Sequence, residues 1–315
     1  MPFVTAFYRA LGTGMVISAD SPIDDKVRSA MESLIEDYEH VLSRFRNDSL
    51  IAAIGKAEHG GSFDFPDWCA PLFDLYDALF SATSGAIDPC VGEDLIRLGY
   101  DASLSFTVTQ DAPEHLGALR GRAVWGRDVT RHGTTLVTHE PVQLDFGACG
   151  KGYLVDLLGR MLQSSQFVID AGGDLLIHAE QPISVALEDP EDQSHAIGIA
   201  HIANGALCAS APSRRHWNVA VNERTQIAIH HLLNAIDGLP AQQTEASWAY
   251  VPANATLNLA RDYPTAVADG LATALFVSDV AQLQRTFDFT YATLDESRQI
   301  AVSRNFPADL FLRSA

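Results

Sequence analysis

The chain has 315 residues, of which 47% are apolar and 19% charged, a composition that builds a sizeable core and excludes a disordered chain. Acids outnumber bases 40 to 21, for a net charge of −19, so phosphate backbones and anionic lipid surfaces repel it and nucleic-acid binding is not expected. No stretch approaches the roughly 18 uninterrupted apolar residues of a membrane-spanning helix. The first residues lack the basic and apolar regions of a secretory signal, which makes cytoplasmic placement the expectation. Four well-separated cysteines with no CxxC pair argue against a thiolate zinc site or a disulfide framework.

No repeat, low-complexity tract or flexible linker divides the sequence, so one domain over 1–315 is expected. Two short strands open the chain. From Val27, apolar residues recur at Met31, Leu34, Ile35, Tyr38 and Leu42, the stripe of an amphipathic helix that starts after Pro22 near Asp24 and Asp25. A second stripe, Leu72, Leu75, Tyr76, Leu79 and Phe80, follows Pro66 and stops near Ser84–Gly85. The middle turns to short β-like runs at 134–138, 142–146, 167–171, 174–178 and 183–188. One helix, carrying Leu154, Leu157, Leu158, Met161 and Leu162, interrupts them. Strands at 217–221 and 247–251 come next, then a helix near 267–277 and terminal strands near 289–303. Strands and helices interleaved without a regular βαβ rhythm predict an α+β fold.

Four segments can carry chemistry. Asp145-Phe-Gly-Ala-Cys-Gly-Lys-Gly-Tyr153 reads as a strand end running into a helix. Its glycines let the backbone approach a ligand, helix-start amides can receive a phosphate, and Lys151 adds a point charge. It lacks the spacing and hydroxyl of a Walker loop, and a plain glycine-rich turn with a solvated lysine fits as well. In Ala268-Asp-Gly-Leu-Ala-Thr-Ala-Leu275, Asp269 and Thr273 are four apart and share a helix face. Carboxylate, hydroxyl and a nearby carbonyl make a hard oxygen set suited to Mg²⁺, although both residues could equally serve their own helix backbone. His230-His231 before a Gly-Pro turn can set an imidazole in a cleft as a general base, or supply two buried ring donors. Ser84-Gly-Ala-Ile-Asp-Pro-Cys-Val-Gly92 is by itself a turn.

In chain order these pieces resemble the ApbE family, the FAD:protein FMN transferases. The family patterns are M-G-T, S-G-G-A-F-D-P-T-V-G, D-L-G-G-I-A-K-G-Y, N-L-G-G-D, T-S-G, H-I-I-D-P-x-T-G and A-D-A-L-A-T-A-L. They meet Leu11-Gly12-Thr13, Ser84–Gly92, Asp145–Tyr153, Asp170-Ala-Gly-Gly-Asp174, Ala209-Ser210-Ala211, His231–Gly238 and Ala268–Leu275. The resemblance runs nearly end to end. It implies an α+β, T-fold-related unit of two lobes, with mixed or antiparallel sheets and flanking helices, and FAD in the cleft between the lobes.

The resemblance further implies Mg²⁺ held by Asp269, Thr273 and the carbonyl of Gly150. It places Gly12, Thr13, Asp88, Lys151, Tyr153, Gly173, Asp174 and Ser210 around the nucleotide, and makes His231 the base. The implied reaction moves FMN from FAD onto a Thr or Ser hydroxyl of an acceptor protein bearing a D-x-x-[ST]-x-G-A-[ST]-like motif, releasing AMP. Many members of the family are exported. The sequence keeps the metal half of the pattern and departs from it at Asn234-Ala235-Ile236 and at Ala209 and Ala211. Two rival readings fit the same cleft: an FAD pyrophosphatase with water as acceptor, and a flavin-binding protein without turnover.

Overall fold

The computed structural model describes residues 1–222 and 225–311. Strands β1 (Phe3–Ala10) and β2 (Thr13–Ala19) form a hairpin. Helix α1 (Asp25–Leu42) follows; the Asp24 carboxylate accepts from Val27 N at 2.8 Å and caps it, and Met31, Ile35, Tyr38 and Leu42 bury the stripe that the sequence predicts. Next come α2 (Leu50–Lys56), β3 (Gly61–Asp64), α3 (Ala70–Ala82), α4 (Gly92–Arg97), α5 (Ala112–His115), β4 (Val129–His132) and β5 (Thr135–Thr138). Helix α6 (Gly150–Gly159) leads into β6 (Phe167–Asp170), β7 (Asp174–Glu188) and β8 (Ala196–Ser210). Then follow β9 (His216–Asn222), β10 (Thr225–His230), β11 (Leu233–Asn234), β12 (Leu239–Pro240) and β13 (Thr244–Pro252). The chain ends through α7 (Asn258–Asp262), α8 (Pro264–Ala274), α9 (Val280–Leu283), β14 (Thr290–Asp295), β15 (Ile300–Val302) and β16 (Ala308–Leu310).

Nine strands make the main sheet, in the order β1-β2-β6-β7-β8-β13-β14-β15, with β16 also paired to β8. Every pairing of named strands is antiparallel among the described residues, in keeping with the α+β expectation. The pleat sends alternate residues to opposite faces. Ala206 and Cys208 of β8 join the helical core with Leu79 of α3, Leu154 of α6 and Leu271 of α8. Leu207 between them faces a second cluster with Ile177, Trp248 and Leu294. A third, small cluster gathers Leu95, Leu98, Tyr100, Leu116, Trp217, Ile229 and Leu233. It packs the β9–β10 hairpin onto α4 and its following loop.

Three strand and helix expectations change. Val142–Phe146 is extended but joins no ladder. Val142, Leu144 and Phe146 alternate into the core, while Asp145 N donates to Pro89 O at 2.7 Å, so alternation here marks burial without pairing. The two runs at 174–178 and 183–188 fuse into the single strand β7, whose pairing with β8 shifts register between His178 and Ile183. The helix expected near 267–277 starts earlier, at Pro264, where proline's missing N–H costs nothing, and ends at Ala274.

Helix α8 is buried over nearly its whole length, so its first amides need partners inside the protein. Asp156 of α6 supplies them, accepting from Thr265 N at 3.1 Å and Ala266 N at 2.8 Å. Burial pushes Asp156 up to about 7. That folded value lies above the ordinary carboxylate value of about 3.9, so the group's contribution to stability is complete below about pH 4 and is lost as pH rises through about 7. The difference in unfolding free energy between wild type and Asp156→Asn should therefore fall from pH 4 to pH 7 and level off above. Urea unfolding at four pH values measures it, and a pH-independent difference would refute the assignment.

Candidate functional site

Two glycine-marked turns and two helix ends converge on one corner. Between β6 and β7 the chain reverses through Gly172 and Gly173, with φ of +66° and +109°, and Ala171 N bonds Asp174 O at 3.0 Å. Side chains rarely adopt these angles, which accounts for the glycine pair. Thr13, just after the β1–β2 turn at Gly12, lays its side chain against Gly172; Oγ1 would sit 2.9 Å from a Cβ added there. Gly173 O accepts from Ala209 N at 3.1 Å, which brings Ser210 at the end of β8 alongside. Gly12, Thr13, Gly173 and Ser210 thus lie at one end of the neighbouring strands β2, β6, β7 and β8, with Asp174 fully buried at the start of β7.

Asp174 pairs with the Lys151 ammonium from the first turn of α6. Asp269, on α8, accepts from Gly152 N at 2.9 Å and neighbours Asp174. Burial, and then the Asp174 carboxylate, push Asp269 well above the ordinary carboxylate range, with Lys151 acting the other way. Burial alone would lower Lys151, but Asp174 and Asp269 outweigh it and hold the ammonium above the usual lysine value. The Lys151 ammonium thus balances Asp174, while Asp269 beside them is driven toward its protonated form and would ionise readily only with added positive charge next to it.

Gly150 and Thr273 flank that corner. Gly150 O accepts from the buried Tyr38 hydroxyl at 2.7 Å and, as the first carbonyl of α6, also accepts the helical bond from one turn further on. Thr273, one turn beyond Asp269, is half-buried, with Oγ1 3.5 Å from Ala148 O. The three residues expected to hold a metal thus lie around the packed ends of α6 and α8. Gly147, Gly150 and Gly152 all avoid positive φ. A Cβ on Gly152 would collide with Thr265 O and sit 2.9 Å from Asp269 Cβ, so this glycine lets two helices touch rather than a ligand approach.

Tyr153 points away from the corner. It is buried, donates its hydroxyl to Trp68 O, and packs against Tyr38 and Tyr263 with ring centroids 6.4 and 5.0 Å apart. Asp88 is 2% exposed, and its carboxylate faces Cys90 N, Trp125 N and Arg122 rather than a cleft. His231 stands in a separate neighbourhood beside Tyr100 and Arg215. Its Nδ1 lies 3.2 Å from Arg215 O. A carbonyl only accepts, so Nδ1 carries the proton and Nε2 keeps a lone pair. Burial, then Arg215, bring His231 down to about 4. The link to the Asp174–Asp269 corner is Asp145, which acts on His231 electrostatically, pairs with Arg44, and opens the loop that ends at Gly150.

Sequence reasoning missed Tyr38, Arg44 and Arg122. Tyr38 sits on the apolar stripe and counts there as core, and only the fold turns its hydroxyl onto Gly150. Arg44 is 7% exposed in its side chain, pairs with Asp145 and donates to Tyr100 O at 2.5 Å. Nothing in local spacing singles out Arg44 or Arg122 among eighteen arginines.

The model of the ApbE family matches residues 11–293. The chain belongs to the ApbE family. A curated relative, the FAD:protein FMN transferase of Treponema pallidum (strain Nichols), is 27% identical over 286 residues, covering 80% of this chain and 72% of that protein. The ApbE protein of Thermotoga maritima MSB8 superposes with a TM-score of 0.78 at 20% identity, over 96% of this chain and 98% of its own. The flavin transferase ApbE of Vibrio cholerae does so at 0.75 and 17%, over 96% and 97%. The flavinyl transferase ApbE of Pseudomonas stutzeri, in its apo form, gives 0.70 and 19%, over 96% and 95%. The ApbE fold is therefore shared along almost the entire chain.

The glycine contact in this ApbE protein makes a sharp test. Gly152→Ala should cost about 1–3 kcal/mol by overpacking α6 against α8, and should also displace Asp269. Denaturant unfolding measures the first effect, and unchanged stability would show that the two helices can part freely.

Proposed function

We propose that the protein is an FAD:protein FMN transferase that moves FMN from FAD onto a Thr or Ser hydroxyl of an acceptor protein, with release of AMP. Family membership supplies the reaction class. The observation that carries the reading to this chain is the buried Asp269 beside the Asp174–Lys151 ion pair at the start of α6.

That corner fits a divalent cation of the Mg²⁺ type. Its donors are hard oxygens, the carboxyl of Asp269, the Thr273 hydroxyl and the Gly150 carbonyl, and the charge of a bound cation would favour the ionised form of Asp269. When bound, the cation neutralises pyrophosphate charge and stabilises the charge that develops in transfer. The chain's own residues divide the remaining work. Lys151 keeps Asp174 paired and adds positive charge beside the α6 amides. Gly12, Thr13, Gly173 and Ser210 offer backbone and hydroxyl groups along the nucleotide side of the corner.

In the transfer, the acceptor oxygen bonds to the FMN phosphorus, the pyrophosphate P–O bond breaks, and AMP departs with that oxygen. His231 Nε2 takes the acceptor proton. With its folded value near 4 the imidazole is neutral across the working range. A weak base is adequate where bonding to the nucleophile is slight and phosphoryl transfer runs through a loose transition state.

Incubation with FAD, Mg²⁺ and a peptide carrying the D-x-x-[ST]-x-G-A-[ST] pattern should add one FMN to the peptide by mass and release AMP in equal amount. Asp269→Ala should lower that rate at least about 100-fold. AMP released without peptide labelling would replace this reading with water as acceptor. Tight FAD binding with neither product would overturn catalysis altogether.

A further inference from the structure

The segment from His231 to Gly238 departs most from the ApbE pattern, yet it is firmly tied on its inner side. Ala235 N donates to Ala86 O at 3.0 Å, Ala118 N donates to Ala235 O at 3.1 Å, and Leu119 N donates to Ile236 O at 3.0 Å. Gly117 and Gly238 meet so closely that a Cβ on Gly238 would lie 2.5 Å from Gly117 N. Behind this contact sits Arg122, whose side chain is wholly buried. Its Nη2 donates to Ala235 O at 2.7 Å. Its Nε stands 2.8 Å from the Asp94 carboxylate and its Nη1 3.4 Å from that of Asp88. Asp94 in turn accepts from Gly117 N at 2.8 Å, and Asp88 from Cys90 N at 2.8 Å.

One guanidinium therefore joins three pieces of chain: the turn carrying Asp88, helix α4 carrying Asp94, and the segment that begins at His231. We infer that Arg122, held by Asp88 and Asp94, is a positioning residue that fixes the His231 segment through the Ala235 carbonyl, and that Asp88 serves the site through this ion triad rather than by touching nucleotide. The planar fork is what allows one side chain to meet two carboxylates and a carbonyl at once; an ammonium cannot reproduce that geometry. A buried ion triad adds little stability over apolar residues of the same shape, so what it supplies here is a fixed arrangement. The inference rests on the transferase reading for its kinetic arm only.

Arg122→Lys keeps the charge between the two carboxylates and loses the arm to Ala235. It should fold, lower kcat for flavin transfer about tenfold or more, and leave KM for FAD within about twofold. The second readout needs no activity. The His231 imidazole, followed by NMR, should titrate closer to the ordinary histidine value as its seat beside Arg215, His230, Asp145 and Tyr100 loosens. If Arg122→Lys does not fold, the triple variant Asp88→Leu, Asp94→Leu, Arg122→Met removes every charge of the triad and carries the same expectations. A His231 titration identical to wild type in the folded variant would overturn the inference, whether or not kcat falls. Absence of transfer in the wild-type protein would instead strike the transferase reading and leave the NMR comparison to decide this one.

Discussion

The close approach of α6 and α8 is the constraint from which the rest of the site follows. At Gly152 the two helices come together without room for a side chain, and the same contact presents the Gly152 amide to Asp269. Asp156, one turn further along α6, caps the first amides of α8 from inside the protein. A carboxylate can then be held on a helix buried almost throughout, where isolated charge would be prohibitive. Lys151 balances Asp174, and Asp269 beside them is pushed toward its protonated form, so this corner differs from the rest of the core in holding a carboxyl that only further positive charge would ionise.

Much of this was legible before any coordinates. The stripes at 31–42 and 72–80 became α1 and α3 because a helix with one apolar face has a single way to bury it. The pairing of Asp269 with Thr273 survived because i and i+4 must share a helix face. Val142–Phe146 misled because alternation reports which side chains are buried and says nothing about whether the backbone finds a ladder. The break expected within β7 failed for a related reason: a strand can pass through an irregularity, here between His178 and Ile183, when its partner β8 is equally long.

The site was legible in part. Type and local spacing single out Lys151, Asp269 and Thr273, which the fold places on α6 and α8. Residues whose contacts lie across the fold do not stand out in this way. Tyr38 is 112 positions from the carbonyl it meets, and Arg122 is 113 from Ala235. Gly152 stands out in sequence but its contact with α8 does not, because a glycine that admits a ligand and one that admits a helix look alike there.

The two halves of the site differ in how they are secured. Around Asp269 the anchors are short-range: adjacent turns of two packed helices, with little freedom to drift. His231 lies on an irregular segment whose only regular pairing is the two-residue β11–β12 ladder, so its position has to be imposed from outside. The third cluster does this from one side through Tyr100 and Trp217, whose rings stack with centroids 5.8 Å apart. Arg122 and the Gly117–Gly238 contact do it from the other. A segment fixed from its surroundings can change its own residues, as Asn234, Ala235 and Ile236 have, because Ala235 is held by backbone atoms that any residue supplies. Loss of a family motif in sequence is then compatible with retention of the geometry that the motif once served.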